Sequence, residues 1–96
     1  MIASFADRAT EGLFHGETGK SIKRIPPDIR KVAVRKLDMV NAAHELQDLR
    51  VPPGNRLEAM KGELRGKHSI RINDQWRIVF RWRDGDAHEV EIEDYH

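Results

Sequence analysis

HSIRINDQWRIVFRW, residues 68–82, decides how this chain folds. Its two apolar-rich halves flank Asn73-Asp74, a pair that tolerates the left-handed conformations of a tight turn, so the segment predicts two β-strands folded back on each other. Side chains alternate across a strand. Ile70, Ile72, Trp76, Ile78, Phe80 and Trp82 therefore share one broad apolar face. Ser69, Arg71, Arg77, Val79, Arg81 and Arg83 share the other. A sheet of this kind is expected to bury its greasy side and present its arginine-studded side. The rest of the chain is then there to cover the first or equip the second.

Working outward, Asp84-Gly85-Asp86 predicts a turn into a last strand, His88 to Tyr95, with Val90 and Ile92 inward and Glu89, Glu91 and Glu93 outward beside the arginines. Opposite charges across strands contribute roughly 0.2–1 kcal/mol each. Upstream, Arg56 to Lys61 predicts a strand leading into the turn KGELRGK. LRVPPGNR, with two prolines and a glycine, breaks regular structure. Pro26-Pro27-Asp28 opens a helix, because proline suits a first turn whose N–H groups have no partner. Val32, Ala33, Leu37 and Val40 recur at helical spacing, widened by Val34 and Met39, to an end near Leu46. This helix is the cover for the apolar face, and its basic residues, Arg30, Lys31, Arg35 and Lys36, read as a solvated flank. At the start, Ile2 to Phe5 predicts a strand, and Asp7 caps a short helix that stops at Gly16 with Ala9, Leu13 and Phe14 facing the core. Residues 17–25 have no periodicity and predict a mobile connector. The order is strand, two helices and an antiparallel meander, an α+β fold in which two N-terminal helices pack on one face of a twisted sheet.

A length of 96 residues allows one domain, residues 1–96, with a single core. The absence of cysteine excludes disulfides, thiol nucleophiles and thiolate metal sites, and fits a reducing compartment. The N-terminal MIASFADRATE acquires acids too soon for a secretory signal, and no apolar run approaches the roughly 20 residues that span a membrane. A cytoplasmic protein without membrane contact is expected. Net charge is +1, yet residues 56–83 carry eight Lys/Arg against three Asp/Glu, and residues 84–96 carry six acids and no Lys/Arg. A local basic patch can bind phosphates on a nearly neutral molecule. Charge alone is better met by a basic strand neutralised by its acidic neighbour.

Few residues could do chemistry. Asp94 and His96 share a strand face, so the acid can orient the imidazole and favour its charged form; Tyr95 between them adds a phenol. Lys61 and Arg77 fall nearby in the expected fold. Fixed cations stabilise the charge that a phosphodiester gains in flight, and arginine offers a fork for phosphate oxygens where lysine offers a point charge or a proton. Together these groups suffice, without metal or cofactor, for attack of an RNA 2′-hydroxyl on its own phosphate. From spacing alone, structural roles account for them at least as well. His15, His44, His68 and His88 are scattered without ligand spacing. Trp76 and Trp82 fall on the core face, which favours burial over base stacking.

NRLEAMKGELRGKHSIRINDQWRIVFRW followed by VEIEDYH resembles the HigB-type toxins of the RelE/ParE superfamily, and the likeness extends over nearly the whole chain. The resemblance implies two helices packed on a twisted antiparallel sheet, and a small ribonuclease that cleaves messenger RNA in the ribosomal A site. It also implies a HigA-type helix-turn-helix antitoxin, through which the complex binds operator DNA. Carried over by position, the catalytic lysine is Lys61, the phosphate-contacting arginine is Arg77, and the C-terminal Asp-Tyr-His is Asp94, Tyr95 and His96. Where some members have a histidine three residues before the lysine, this chain has Glu58. A carboxylate can accept a proton and so serve as base, but its charge repels a phosphate: either Glu58 turns aside, or the balance of roles shifts to His96. Arg71, Arg81 and Arg83 are expected to contact RNA backbone. The same superfamily contains ParE-like gyrase poisons, which need no catalytic set, and a non-catalytic RNA- or protein-binding module is the third reading.

Overall fold

The computed structural model describes residues 1–95. Two helices, α1 (Arg8–Phe14) and α2 (Pro27–Ala42), precede four strands: β1 (Glu58–Ala59), β2 (His68–Arg71), β3 (Trp76–Arg83) and β4 (Asp86–Asp94). The strands form one sheet in the order β1-β2-β3-β4, antiparallel throughout. The expected α+β architecture is present.

Register follows the apolar alternation. Ile70 faces Ile78, and Ile78 faces Ile92, which places all three on one side with Phe80 and Val90. Ile29, Ala33, Leu37 and Val40 of α2 and Ala9 and Leu13 of α1 complete the core, with Trp76 and Trp82 half-buried against it. The Asp7 carboxylate caps α1 by accepting the Thr10 N–H, as read from the sequence.

Local departures have physical causes. The helix α2 stops at Ala42, short of Leu46, because the Asp48 carboxylate accepts the N–H groups of His44 (2.9 Å) and Glu45 (3.0 Å) and folds the chain into a new 3₁₀ turn, Leu46–Arg50. Those two bonds hold the Asp48 carboxyl below its ordinary pKa. Ile2 to Phe5 makes two isolated parallel bridges, at Ala87 and Val90, which shield the outer edge of β4. Residues 17–25 are a packed wedge instead of a connector. Ile22 and Ile25 are buried, and Arg24 ties the segment down through Asp7 and the Ile92 carbonyl (2.7 Å).

The strand β4 contains a bulge. The pairing slips between Val79 and Arg81, and Glu89 takes φ +53°. Ala87 and Val90 are three apart, so an uninterrupted strand would put them on opposite faces. The extra residue lets both reach the core. The Glu89 side chain is thereby delivered to Arg81 (3.2 Å) and Lys67 (3.7 Å), and the Arg81 bond depresses its pKa.

The second face of the sheet corrects an expectation. It is not presented as a row of free cations: Ser69, Val79 and Arg77 are buried. Only two residues of the expected Arg56–Lys61 strand pair with β2, Glu58 with Ser69 and Ala59 with His68. Just before them Arg56 adopts the left-handed region (φ +45°), which turns the backbone towards β3.

Candidate active site

Arg77 is the centre of the second face. Its side chain is 8% exposed, and its donors are met by three acceptors from three elements. Nε donates to Ser69 Oγ (2.7 Å) on β2, and Nη2 donates to the Arg56 carbonyl (2.7 Å) and lies 3.1 Å from Glu58 Oε1 on β1. Ser69 and the Arg56 carbonyl are neutral and fixed. Glu58 is 53% exposed, so its carboxylate is the acceptor an incoming anion can displace. The Glu58 carboxylate is not turned aside: it points at the guanidinium.

Around this centre lies an open hollow of about 280 Å³. Arg56 and Arg71 line it with Arg77, so three arginines border one space, joined by Glu58, Asn73, Asp74 and Tyr95. Arg71 is paired with Asp74, three residues on at the hairpin turn. The Tyr95 ring sits under the Arg77 guanidinium, 5.7 Å from centroid to Cζ. Tyr95 is held there by its own backbone, whose N–H donates to the Gln75 carbonyl (2.6 Å), while Gln75 Nε2 donates to Asp94 Oδ2 (3.0 Å). The tail is therefore clamped to the start of β3 as far as Tyr95. The expected role of His96 falls outside the described residues.

Lys61 is exposed and lines a second hollow, of about 240 Å³, with Ala59, Met60 and Leu64. Glu58 and Tyr95 border both hollows. Asp94 lines neither hollow and is the cross-strand neighbour of Trp76, whereas Glu58, Lys61, Arg77 and Tyr95 form one group around the two hollows. Arg81 and Arg83 do not join it. Arg81 is engaged by Glu89, and Arg83 stands exposed at the far end of β3, opposite Asp86. Arg56 was missed as a site residue because its place in the hollow depends on a left-handed turn after Asn55, which alternation does not encode.

The acidic strand does not neutralise Arg77 as the charge pattern suggested. Glu93 is its cross-strand neighbour, but the guanidinium bonds to Glu58. Glu91 is half-buried; burial first, and then the adjacent Glu93, raises its pKa. A carboxyl whose pKa is raised by folding favours the folded state below its unfolded pKa and loses that advantage as pH rises through the folded value. Glu91→Gln is therefore expected to raise the melting temperature near pH 7, with the gain shrinking on acidification through the carboxylate range, as thermal melts across pH would record.

A family model described as RelE-like toxin of type II toxin-antitoxin system HigB matches residues 3–96. Toxin HigB-1 of Vibrio cholerae is 42% identical over 91% of this chain and 90% of its own length. Endoribonuclease HigB of Proteus vulgaris is 33% identical over the whole of both chains. In the YoeB-YefM complex from Staphylococcus aureus, a chain superposes with a TM-score of 0.60 over 100% of this chain and 98% of its own, at 18% identity, a likeness of fold. No helix of the described residues is long and apolar enough to cross a membrane. Family model and relatives together cover the hairpin, both helices and the gathered pocket, and the chain belongs to the HigB-like family of RelE-like toxins of type II toxin–antitoxin systems.

Proposed function

We propose that this toxin is a metal-independent endoribonuclease of one domain, acting in the cytoplasm on messenger RNA in the ribosomal A site. The observation that supports this reading best is the hollow lined by Arg56, Arg71 and Arg77 beside Glu58 and Tyr95. Arg77 is positioned by neutral acceptors and held from below by Tyr95, so it meets a phosphate without reorganising. The scissile phosphate displaces Glu58 from the Arg77 fork and takes its hydrogen bonds. Lys61 approaches from the adjoining hollow and offsets the developing charge. His96, oriented by Asp94, is the leading proton-transfer group, and Tyr95 positions the substrate. The 2′-hydroxyl gives up its proton to the proton-transfer group as its oxygen attacks phosphorus, the bond from phosphorus to the 5′-oxygen breaks, that oxygen takes up a proton, and the products are a cyclic 2′,3′-phosphate and a 5′-hydroxyl. A HigA-type helix-turn-helix antitoxin restrains the toxin and carries the complex to operator DNA.

The test is in vitro translation with the purified protein, with messenger ends mapped by primer extension. Cleavage confined to translating ribosomes is the expected result. Toxicity without cleavage would shift the reading to a gyrase poison, scored by supercoiling assay.

Glu58 has a distinct expectation. Released from Arg77 by the substrate, it is a secondary group, so Glu58→Gln should cost less than about tenfold in cleavage, against about 10²–10⁴-fold for a leading acid–base group. A loss in that higher range would make Glu58 the base. Arg71 and Arg56 sit on the mouth of the hollow, and Arg71→Ala should weaken ribosome binding and flatten its salt dependence while leaving the single-turnover rate nearly intact.

A further inference from the structure

Lys36 was expected on a solvated flank of α2, yet it is 7% exposed. Burying an ammonium group is costly, and an unbranched apolar residue would fill the same space. Desolvation lowers its pKa, with Arg35 adding to the effect. Its Nζ donates to Oδ1 of Asn55, which is itself fully buried. The other end of the Asn55 amide donates to the carbonyls of Leu49 (3.2 Å) and Val51 (3.4 Å). One side chain therefore gathers the loop between α2 and β1 into a ring and ties it to α2.

The next residue is Arg56, whose left-handed backbone points its carbonyl at Arg77 Nη2. Two residues further is Glu58, the other acceptor at the same nitrogen. The ladder of β1 is only two residues long, which is too little to fix the height of this segment over the sheet. We infer that Lys36 and Asn55 are positioning residues, a buried brace that sets the Arg56 carbonyl and Glu58 and thereby orients the Arg77 guanidinium. The inference deepens the proposed nuclease reading, on which only its activity readout rests.

The experiment reads Arg77 directly, through solvent exchange of its Nε–H in ¹H–¹⁵N spectra, alongside kcat and KM for cleavage on programmed ribosomes. The variants are Lys36→Met, which keeps volume without a donor, Lys36→Arg, which restores one, and Ala33→Gly, which weakens the same helix without removing a group of the Lys36–Asn55 bond. Lys36→Met should speed Nε–H exchange by at least about tenfold and lower kcat by a similar factor, with KM changed less than about twofold. Lys36→Arg should recover much of both. Should Lys36→Met fail to fold, Asn55→Leu removes the same bonds at similar volume and carries the same expectation. Exchange and kcat no different from those of Ala33→Gly overturn the brace and leave Lys36 a packing residue. Faster exchange in Lys36→Met, with no cleavage even by wild type, upholds the brace and overturns the nuclease reading instead.

Discussion

Arg77→Ala is expected to reduce messenger cleavage by about 10²–10³-fold or more, the range seen when one preorganised donor to a developing oxyanion is removed. The size of the effect follows from how the guanidinium is held. Ser69 Oγ and the Arg56 carbonyl fix two of its edges, and Tyr95 lies against its face, so the group is aimed before substrate arrives. Arg77→Lys should recover little. A lysine ammonium carries the charge but lacks the planar fork that can reach Ser69 and Arg56 at once. The change also has a structural cost, because truncation leaves the buried Ser69 hydroxyl without its donor, worth about 1–3 kcal/mol, and the part-buried Arg56 carbonyl with one bond fewer. Circular dichroism and melting must therefore accompany the assay. A folded Arg77→Ala protein that retains wild-type cleavage would remove this residue from the mechanism.

The second large effect concerns His96. His96→Gln is expected to lower cleavage by about 10²–10⁴-fold in single-turnover measurements while leaving ribosome binding unchanged, as for loss of a leading acid–base group. The substitution keeps length and hydrogen-bonding capacity and removes only titration in the physiological range. Support for this role ends one residue short of it, at the clamp formed by Gln75 on Tyr95 and Asp94. Gln75→Ala should accordingly reproduce part of the loss, because it removes the side-chain bond to Asp94 while the backbone bond to Tyr95 stays. Lys61→Ala supplies the comparison. An effect of Lys61→Ala larger than that of His96→Gln would assign the principal proton transfer to the lysine.

Much of the architecture is legible in single residues. Alternation from Ile70 to Trp82 gives the central hairpin, its register and its core face, because a strand that buries one side tolerates no one-residue slip. Pro27 and the spacing of Ile29, Ala33, Leu37 and Val40 give α2. The arginine face was legible in its composition but not in its exposure. Arg77 occupies the same alternating series as Arg81, yet one is buried at the pocket and the other is engaged by Glu89. Nothing in a period of two distinguishes them.

The sequence by itself determined the fold class, the two layers and the family, since all three depend on local periodicity, turn chemistry and linear motif. Tertiary structure decided what each charge does. The Glu89 bulge, the left-handed turn at Arg56 and the burial of Lys36 against Asn55 are set by packing between segments far apart in the chain. A charged side chain's role depends on which partner comes within about 4 Å and how much water is excluded, and neither is a property of its neighbours in sequence.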